Sequence, residues 1–362
     1  MVYYVRFLKT PKAQVQKGRQ VLVSALITIT TDLGDDFLAD DASLEVRLLD
    51  ATKHSVLHKI SCQWQAGKRE LPLTLGPFRL ISTCASLRLS VESSTVEYTY
   101  CDRLDNPESI PVVISGRSAA FDASSTNPAD KLIERRFQLC RGIQLPIWEE
   151  TGNAFARHIW DAALATVICL QRAIFGASEQ KSAMSHLSEV LLHPARQTLR
   201  VIELGCGCGI VGIALAQMLP QCAVTLTDLT EAAEIAMRNI EQAHLARGST
   251  VNFDVLDWDQ DPLPNQFDRP TDIILVSDCT YNVDSLPSLV RVLDVLTGRS
   301  PGALILVAAK RRHDSEAIFF DLMRNANLVV LEENRFHLPM AYYAKESIEI
   351  YAFRRASMEA YA

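Results

Sequence analysis

The stretch Glu203–Ala216, ELGCGCGIVGIALA, decides how the rest of the chain is read. The short apolar run Leu199–Leu204 enters it and reads as a strand. The apolar run Ile210–Leu219 leaves it and reads as a helix. Glycines at Gly205, Gly207, Gly209 and Gly212 fill the turn between them. Such a loop suits the phosphates of ATP, a dinucleotide, or S-adenosylmethionine. A phosphate-cradling Walker loop needs Lys and Ser/Thr after its last glycine, and here Ile213 and Ala214 follow Gly212. The dinucleotide spacing G-x-G-x-x-G is met by Gly207, Gly209 and Gly212. Asp228, at the end of the next strand, would hydrogen-bond ribose hydroxyls in either remaining cofactor and does not separate them. Glu203 does. A carboxylate at the strand's end is expected to face the site, where it suits a ligand with a cationic end better than a pyrophosphate. Cys206 and Cys208 raise the question of a metal. Structural zinc wants four ligands in paired spacings, and this C-x-C has no second pair, so both are read as small residues and no metal is expected.

The chain has 362 residues, enough for two domains, with a hydrophobic fraction of 48% that marks it as globular. Its formal charge is −7, which disfavours non-specific binding to nucleic acid or anionic membrane. Nine scattered cysteines follow no framework spacing and are read as reduced thiols, pointing to the cytoplasm or the nucleus. Met1–Lys12 lacks a long apolar run, so no signal peptide is expected, and the apolar run Val21–Ile29 is too short to span a bilayer.

Residues 1–115 read as a smaller β-rich domain with an accessory or substrate-recognition role. Val21, Val23, Ala25, Ile27 and Ile29 form a period-two row, and Leu44–Leu49 and Leu87–Glu92 are two more strands, as in a small sandwich or barrel. Residues 116–136 open on GRSAAFDASSTNPAD and read as a linker. From 137 to 362 the texture is α/β. Apolar residues at helical spacing from Ala156 through Ile168, Trp160 among them, predict a helix. Strands are then expected at Leu199–Leu204, Ala223–Thr227, Val251–Leu256, Asp272–Ser277, Ala303–Ala309, Leu328–Glu332 and Ser347–Phe353. Helices are expected at Ile210–Leu219, Glu231–Leu245, Leu286–Leu296 and Ser315–Asn325. This alternation predicts a Rossmann-like, seven-stranded, doubly wound parallel sheet whose last two strands form a hairpin.

Ligands of such sheets lie at the carboxyl ends of the strands. After the third strand come Asp257 and Trp258, an acid for the adenine amino group and an indole to stack on the ring. After the fourth comes SDCTY, Ser277 to Tyr281, which points Asp278 and Tyr281 at the group being transferred. Base methyltransferases usually carry a D/N-P-P-Y/F motif there, and its absence argues against nucleic acid. The basic run Lys310–His313 also lies at this edge and is read as a substrate-side feature.

Taken in order, WEETGNAFARHIWDAAL (Trp148–Leu164), VIELGCGCGIVGIALA, TDL, LDW and SDCTY resemble the family 16 seven-β-strand protein-lysine methyltransferases, over about Phe137–Phe353. The resemblance implies S-adenosylmethionine as cofactor and a non-histone protein presenting a lysine as substrate, such as a translation factor or chaperone. It implies that Trp160 lines the cofactor pocket and that Gly205, Cys206 and Gly207 lie against the methionine moiety. It likewise implies Asp228 on the ribose, Trp258 beside the adenine, Ser277 as a cofactor contact, and Asp278 and Tyr281 as the D-x-x-Y pair. A monomer is expected. Competing readings are transfer to protein histidine, RNA or a small molecule, and a cofactor-binding scaffold without turnover.

Overall fold

Alternating apolar side chains build the first part of the chain into sheets. The computed structural model describes residues 2–17, 20–79, 86–93, 101–152, 155–176, 184–310, 318–339 and 347–356. Strands β1 (Tyr3–Gln16), β2 (Gln20–Thr30), β3 (Ala42–Asp50), β4 (Val56–Trp64), β5 (Leu71–Arg79) and β6 (Ser86–Ser93) are followed by the short β7 (Asp102–Arg103), β8 (Val113–Ile114), β9 (Gly116–Ser118) and β10 (Phe121–Asp122). Two longer strands, β11 (Leu132–Gln138) and β12 (Gln144–Glu150), complete the set. A four-stranded sheet runs β5-β2-β1-β8, and an eight-stranded sheet has the path β12-β11-β9-β6-β3-β4 with β10 on β6 and β7 on β11. The expected row Val21, Val23, Ala25, Ile27, Ile29 is buried along β2, and Leu44, Val46 and Leu48 are buried along β3.

The chain divides between His158 and Ile159, not near residue 115. The stretch 116–136, expected as a linker, carries β9, β10 and most of β11. Its small residues serve packing. A Cβ on Gly116 would stand 2.3 Å from Ile133 Cδ1 and 2.9 Å from Arg135 Nη1, so only glycine lets β9 lie against β11. Ser118, wholly buried, accepts from Leu89 N and donates to Ala119 O. Beneath them Arg135 and Glu149 pair at zero exposure. Arg135 Nε donates to Glu149 Oε1 at 2.7 Å and Nη1 to Ser115 O at 2.8 Å. Burial alone would raise the Glu149 pKa, but the Arg135 charge and the His158 hydrogen bond hold it well below the usual carboxylate range.

The second unit is helical and parallel. Helices α1 (Asp161–Phe175) and α2 (Ser185–Leu192) precede the alternating series β13 (Leu199–Leu204), α3 (Ile210–Met218), β14 (Cys222–Asp228), α4 (Thr230–Gln242), β15 (Thr250–Val255), β16 (Ile273–Ser277), α5 (Leu286–Arg299), β17 (Leu304–Lys310), α6 (Ile318–Asn325), β18 (Leu328–Phe336) and β19 (Ile348–Arg355). The sheet order is β15-β14-β13-β16-β17-β19-β18. β13 pairs parallel with β14 and β16, and the expected β18–β19 hairpin sets β19 antiparallel to β17. All nine residues of α3 are buried, which explains its lack of a polar stripe. α1 begins five residues later than its apolar spacing suggests. Residues 155–157 form a 3-10 turn, and Trp160 is the N-cap with extended φ/ψ of −105° and 151°, so it does not lie on the helix face. Among the described residues no helix is long and apolar enough to cross a membrane.

Candidate cofactor and methyl-transfer site

Strand order reverses between β13 and β16, the place where doubly wound sheets open a crevice for ligands. The glycine loop closes its floor. Gly205, Gly207 and Gly209 have φ of 65°, 52° and 76°, the left-handed region that glycine enters without strain. A Cβ on Gly205 would lie 2.5 Å from Cys279 Sγ and 3.2 Å from Trp258 Cζ2. The loop after β13, the loop after β15 and the end of β16 therefore converge on one glycine.

The loop's own hydrogen bonds separate the two surviving ligand classes. Cys206 N donates to Thr227 O at 3.0 Å, Gly209 N to Cys206 O at 2.8 Å, Gly207 N to Asp228 Oδ2 at 2.8 Å and Gly212 N to Glu203 Oε2 at 2.7 Å. Four amides of this loop and helix start are thus already donated, two of them to carboxyl groups. An anionic ligand is poorly served, whereas a cofactor with no phosphate and a cationic methionine end fits this donor set. The partly buried Trp258 indole stands against Gly205, and both Asp228 oxygens accept backbone amides, Oδ2 from Gly207 and Oδ1 from Leu229.

Glu203 is placed differently from the expectation. Its carboxyl is turned to the first turn of α3, is 1% exposed, and caps that helix through Gly212. Burial, with a further push from the Asp228 charge, raises its pKa to about 8, so at neutral pH it is largely a protonated cap and not a carboxylate facing the ligand. Asp228 is also raised by burial, against the lowering effect of the Gly207 and Leu229 amides. Asp257 is exposed, and its Oδ1 accepts from Asp259 N in a tight turn. Ser277 Oγ lies 3.4 Å from Thr166 Oγ1 of α1.

Asp278 is 6% exposed and has φ of 55°, a left-handed conformation rare outside glycine, with its N–H donated to Ala308 O at 2.8 Å. Such strain collects at functional positions and needs surrounding structure to hold it. Tyr281, three residues on, is 63% exposed. Burial pushes the Cys206 and Cys279 thiols well above the ordinary thiol pKa. Lys310 is not on the surface: its Nζ pairs with Asp161 Oδ2 at 3.1 Å, both side chains under 5% exposed. Arg311, Arg312 and His313, the rest of that run, lie outside the described residues.

Several supports carry no signal in a single sequence. Asn239, buried on α4, donates Nδ2 to Cys208 O at 2.9 Å and ties the loop down. Thr227 Oγ1 donates to Glu203 O at 2.7 Å. Arg291 of α5 donates to the backbone carbonyls of Trp258 and Gln260 and fixes the Trp258 loop.

The fold and this site define a class I S-adenosylmethionine-dependent methyltransferase. The profile described as "Lysine methyltransferase" matches residues 140–326, and the chain belongs to that family. It is 28% identical over 331 residues to a UPF0665 family protein of Schizosaccharomyces pombe, covering 88% of this chain and 91% of that one. It is 27% identical over 191 residues to the protein-lysine N-methyltransferase EFM6 of Saccharomyces cerevisiae, covering 48% and 74%. It is 30% identical over 226 residues to EEF1A lysine methyltransferase 3 of Mus musculus, covering 60% and 81%. The protein is thus a protein-lysine methyltransferase that uses S-adenosylmethionine.

Proposed function

We propose that the chain methylates a lysine of a non-histone protein of the translation machinery or a chaperone, and that Asp278 and Tyr281 carry the transfer. The left-handed Asp278 at the end of β16 is the observation that supports this most strongly. Trp160, Gly205, Cys206, Gly207, Asp228, Asp257, Trp258 and Ser277 would hold the cofactor, with Glu203 acting on it indirectly by fixing the loop to α3. A monomer in the cytoplasm, extending to the nucleus, with no nucleic-acid partner completes the reading.

Bound S-adenosylmethionine supplies a methyl already activated on a sulfonium. The chain's task is then to hold an amine in line at attack distance, and good alignment alone lowers such barriers by several kcal/mol, about 7 or more in favourable cases. A free lysine has a pKa near 10.4, so the attacking amine must first be neutral. Partial desolvation at the site would lower that value, while the Asp278 carboxyl, whose charge works the other way, would orient the amine by accepting its N–H. The exposed Tyr281 ring would face the incoming ammonium. The proton leaves to water.

The test is methyl-labelled S-adenosylmethionine incubated with lysate from cells lacking the protein, with labelled residues mapped by mass spectrometry. Label on a protein lysine is the expected result, and label confined to RNA would overturn the reading. Asp278→Ala should lose methyl transfer by at least about a hundredfold, the lower range for positioning and acid–base groups, while binding cofactor as before. Full activity in that variant would remove Asp278 from its role.

A further inference from the structure

The first unit holds a cavity of about 1180 Å³ lined from within residues 6–158 alone. Its floor is apolar: Leu8 of β1 and Leu26 of β2 stand beside Leu33 and Phe37 of the segment after β2, with Leu8 54% and Leu33 39% exposed. Its rim is basic: Lys9, Lys12 and Lys131 line it, all are exposed, and none has an ion pair among the described residues. Arg6 sits deeper, fixed by Nη1 against His158 Nδ1 at 2.9 Å and by Nη2 donated to Asp32 O at 2.9 Å. The two acids of the lining are engaged elsewhere. Glu150 pairs with Arg157 at 3.1 Å, and Asp32 Oδ1 accepts from Leu33 N. Thr30 and Thr151, both more than nine-tenths buried and both in the lining, carry hydroxyls with no hydrogen-bond partner among the described residues.

A basic rim over an aliphatic floor is unexpected on a chain of net charge −7. Unpaired cations and unsatisfied hydroxyls beside exposed leucines describe a surface that selects both charge and apolar side chains. We propose that this groove binds an extended acidic segment of the protein substrate, with carboxylates on the lysine rim and an apolar side chain on the leucine floor. The lining does not suit nucleic acid. Bases need aromatic faces to stack on; of the two phenylalanines of the lining, Phe7 is buried and Phe37 is covered by the Arg69 guanidinium at 5.7 Å. The proposal rests on the reading of the chain as an enzyme acting on proteins, and gives its first unit the task of choosing which protein.

The experiment uses the full chain and the variant K9E/K12E/K131E. A fluorescein-labelled peptide in which glutamate alternates with leucine is titrated by anisotropy, next to a lysine–leucine peptide and a single-stranded RNA. The acidic peptide should bind the natural chain best and weaken with salt. Its affinity should fall roughly tenfold in the variant, the combined effect of about three exposed ion pairs. In hypomethylated lysate the variant should lose labelling of the protein substrate while binding S-adenosylmethionine unchanged, which also reports that the second unit is folded. Equal peptide binding by the two chains, tighter binding of the RNA, or peptide binding lost with labelling intact would each overturn the proposal. If the natural chain labels no protein at all, the enzymatic reading has failed instead, and a tenfold difference in the peptide titration would still separate the groove from it.

Discussion

Glu203 shows how one buried carboxyl is moved from ligand chemistry to scaffolding. It sits one residue before Leu204, with its Oε2 on Gly212 N and its pKa near 8 instead of 4.5. The folded chain keeps this proton up to about pH 8, while the unfolded chain releases it near 4.5, so between these values the folded state binds more protons. Stability from this group is therefore full below pH 4.5 and is lost as pH rises towards 8. Glu203→Gln keeps the acceptor and removes the titration. It should bind S-adenosylmethionine within a few-fold of the natural chain and flatten the pH dependence of Tm across that window. Glu203→Ala strands the Gly212 amide and should cost about 1–3 kcal/mol in denaturant melts. At Gly205 the constraint is steric and conformational together. Gly205→Ala must accept φ of 65° and a clash with Cys279 Sγ. The expected outcome is a loss of about 1–3 kcal/mol and a weakened calorimetric affinity for the cofactor.

At the scale of elements, the site is assembled by strand ends that other elements brace. Lys310 ends β17 and Asp161 opens α1, and their buried pair joins the helix N-terminus to the sheet's carboxyl edge. A charge run read on the surface is in part a core ion pair, because a lysine at a strand end can turn inward when a buried acid meets it. Lys310→Met leaves Asp161 buried without its cation and should cost about 3–5 kcal/mol, whereas adding Asp161→Leu should recover most of that loss. Urea melts of the single and double variants measure this directly. The element boundaries were legible where the pattern was strong. β13, α3, β14 and β16 fall within a residue or two of the expected spans because apolar runs bounded by Gly, Asp and Ser leave little choice. The start of α1 was not legible, since the apolar spacing continues back through Trp160 while the backbone there is extended.

Over the whole molecule, each unit joins an apolar core to a buried charge pair, Arg135–Glu149 in the first and Lys310–Asp161 in the second. The second buries an aliphatic cluster around Leu204, Ile274, Leu293 and Val307. Arg135→Met should strip Glu149 of the guanidinium that pairs with it and cost the first unit about 3–5 kcal/mol. Saturating S-adenosylmethionine stabilises whatever binds it by about 2.7 kcal/mol at a hundred times Kd. Calorimetric scans should therefore show a transition that rises with cofactor and another that falls in Arg135→Met. A single transition that responds to both would mean the units unfold as one.

The sequence by itself determined the methyltransferase sheet and the strand ends that meet at the candidate site. Glycine spacing, strand-end acids and the order of short motifs are local signals, and a parallel sheet with a reversal at β13 brings its strand ends together by topology alone. Tertiary structure decided the rest. It placed the carboxyl of Glu203 in a helix cap, hid Lys310 behind Asp161, and folded residues 116–136 into a sheet. The last two depend on partners distant along the chain, Asp161 for Lys310 and Arg135 for Gly116, and burial by a distant partner leaves no pattern in the residues around it.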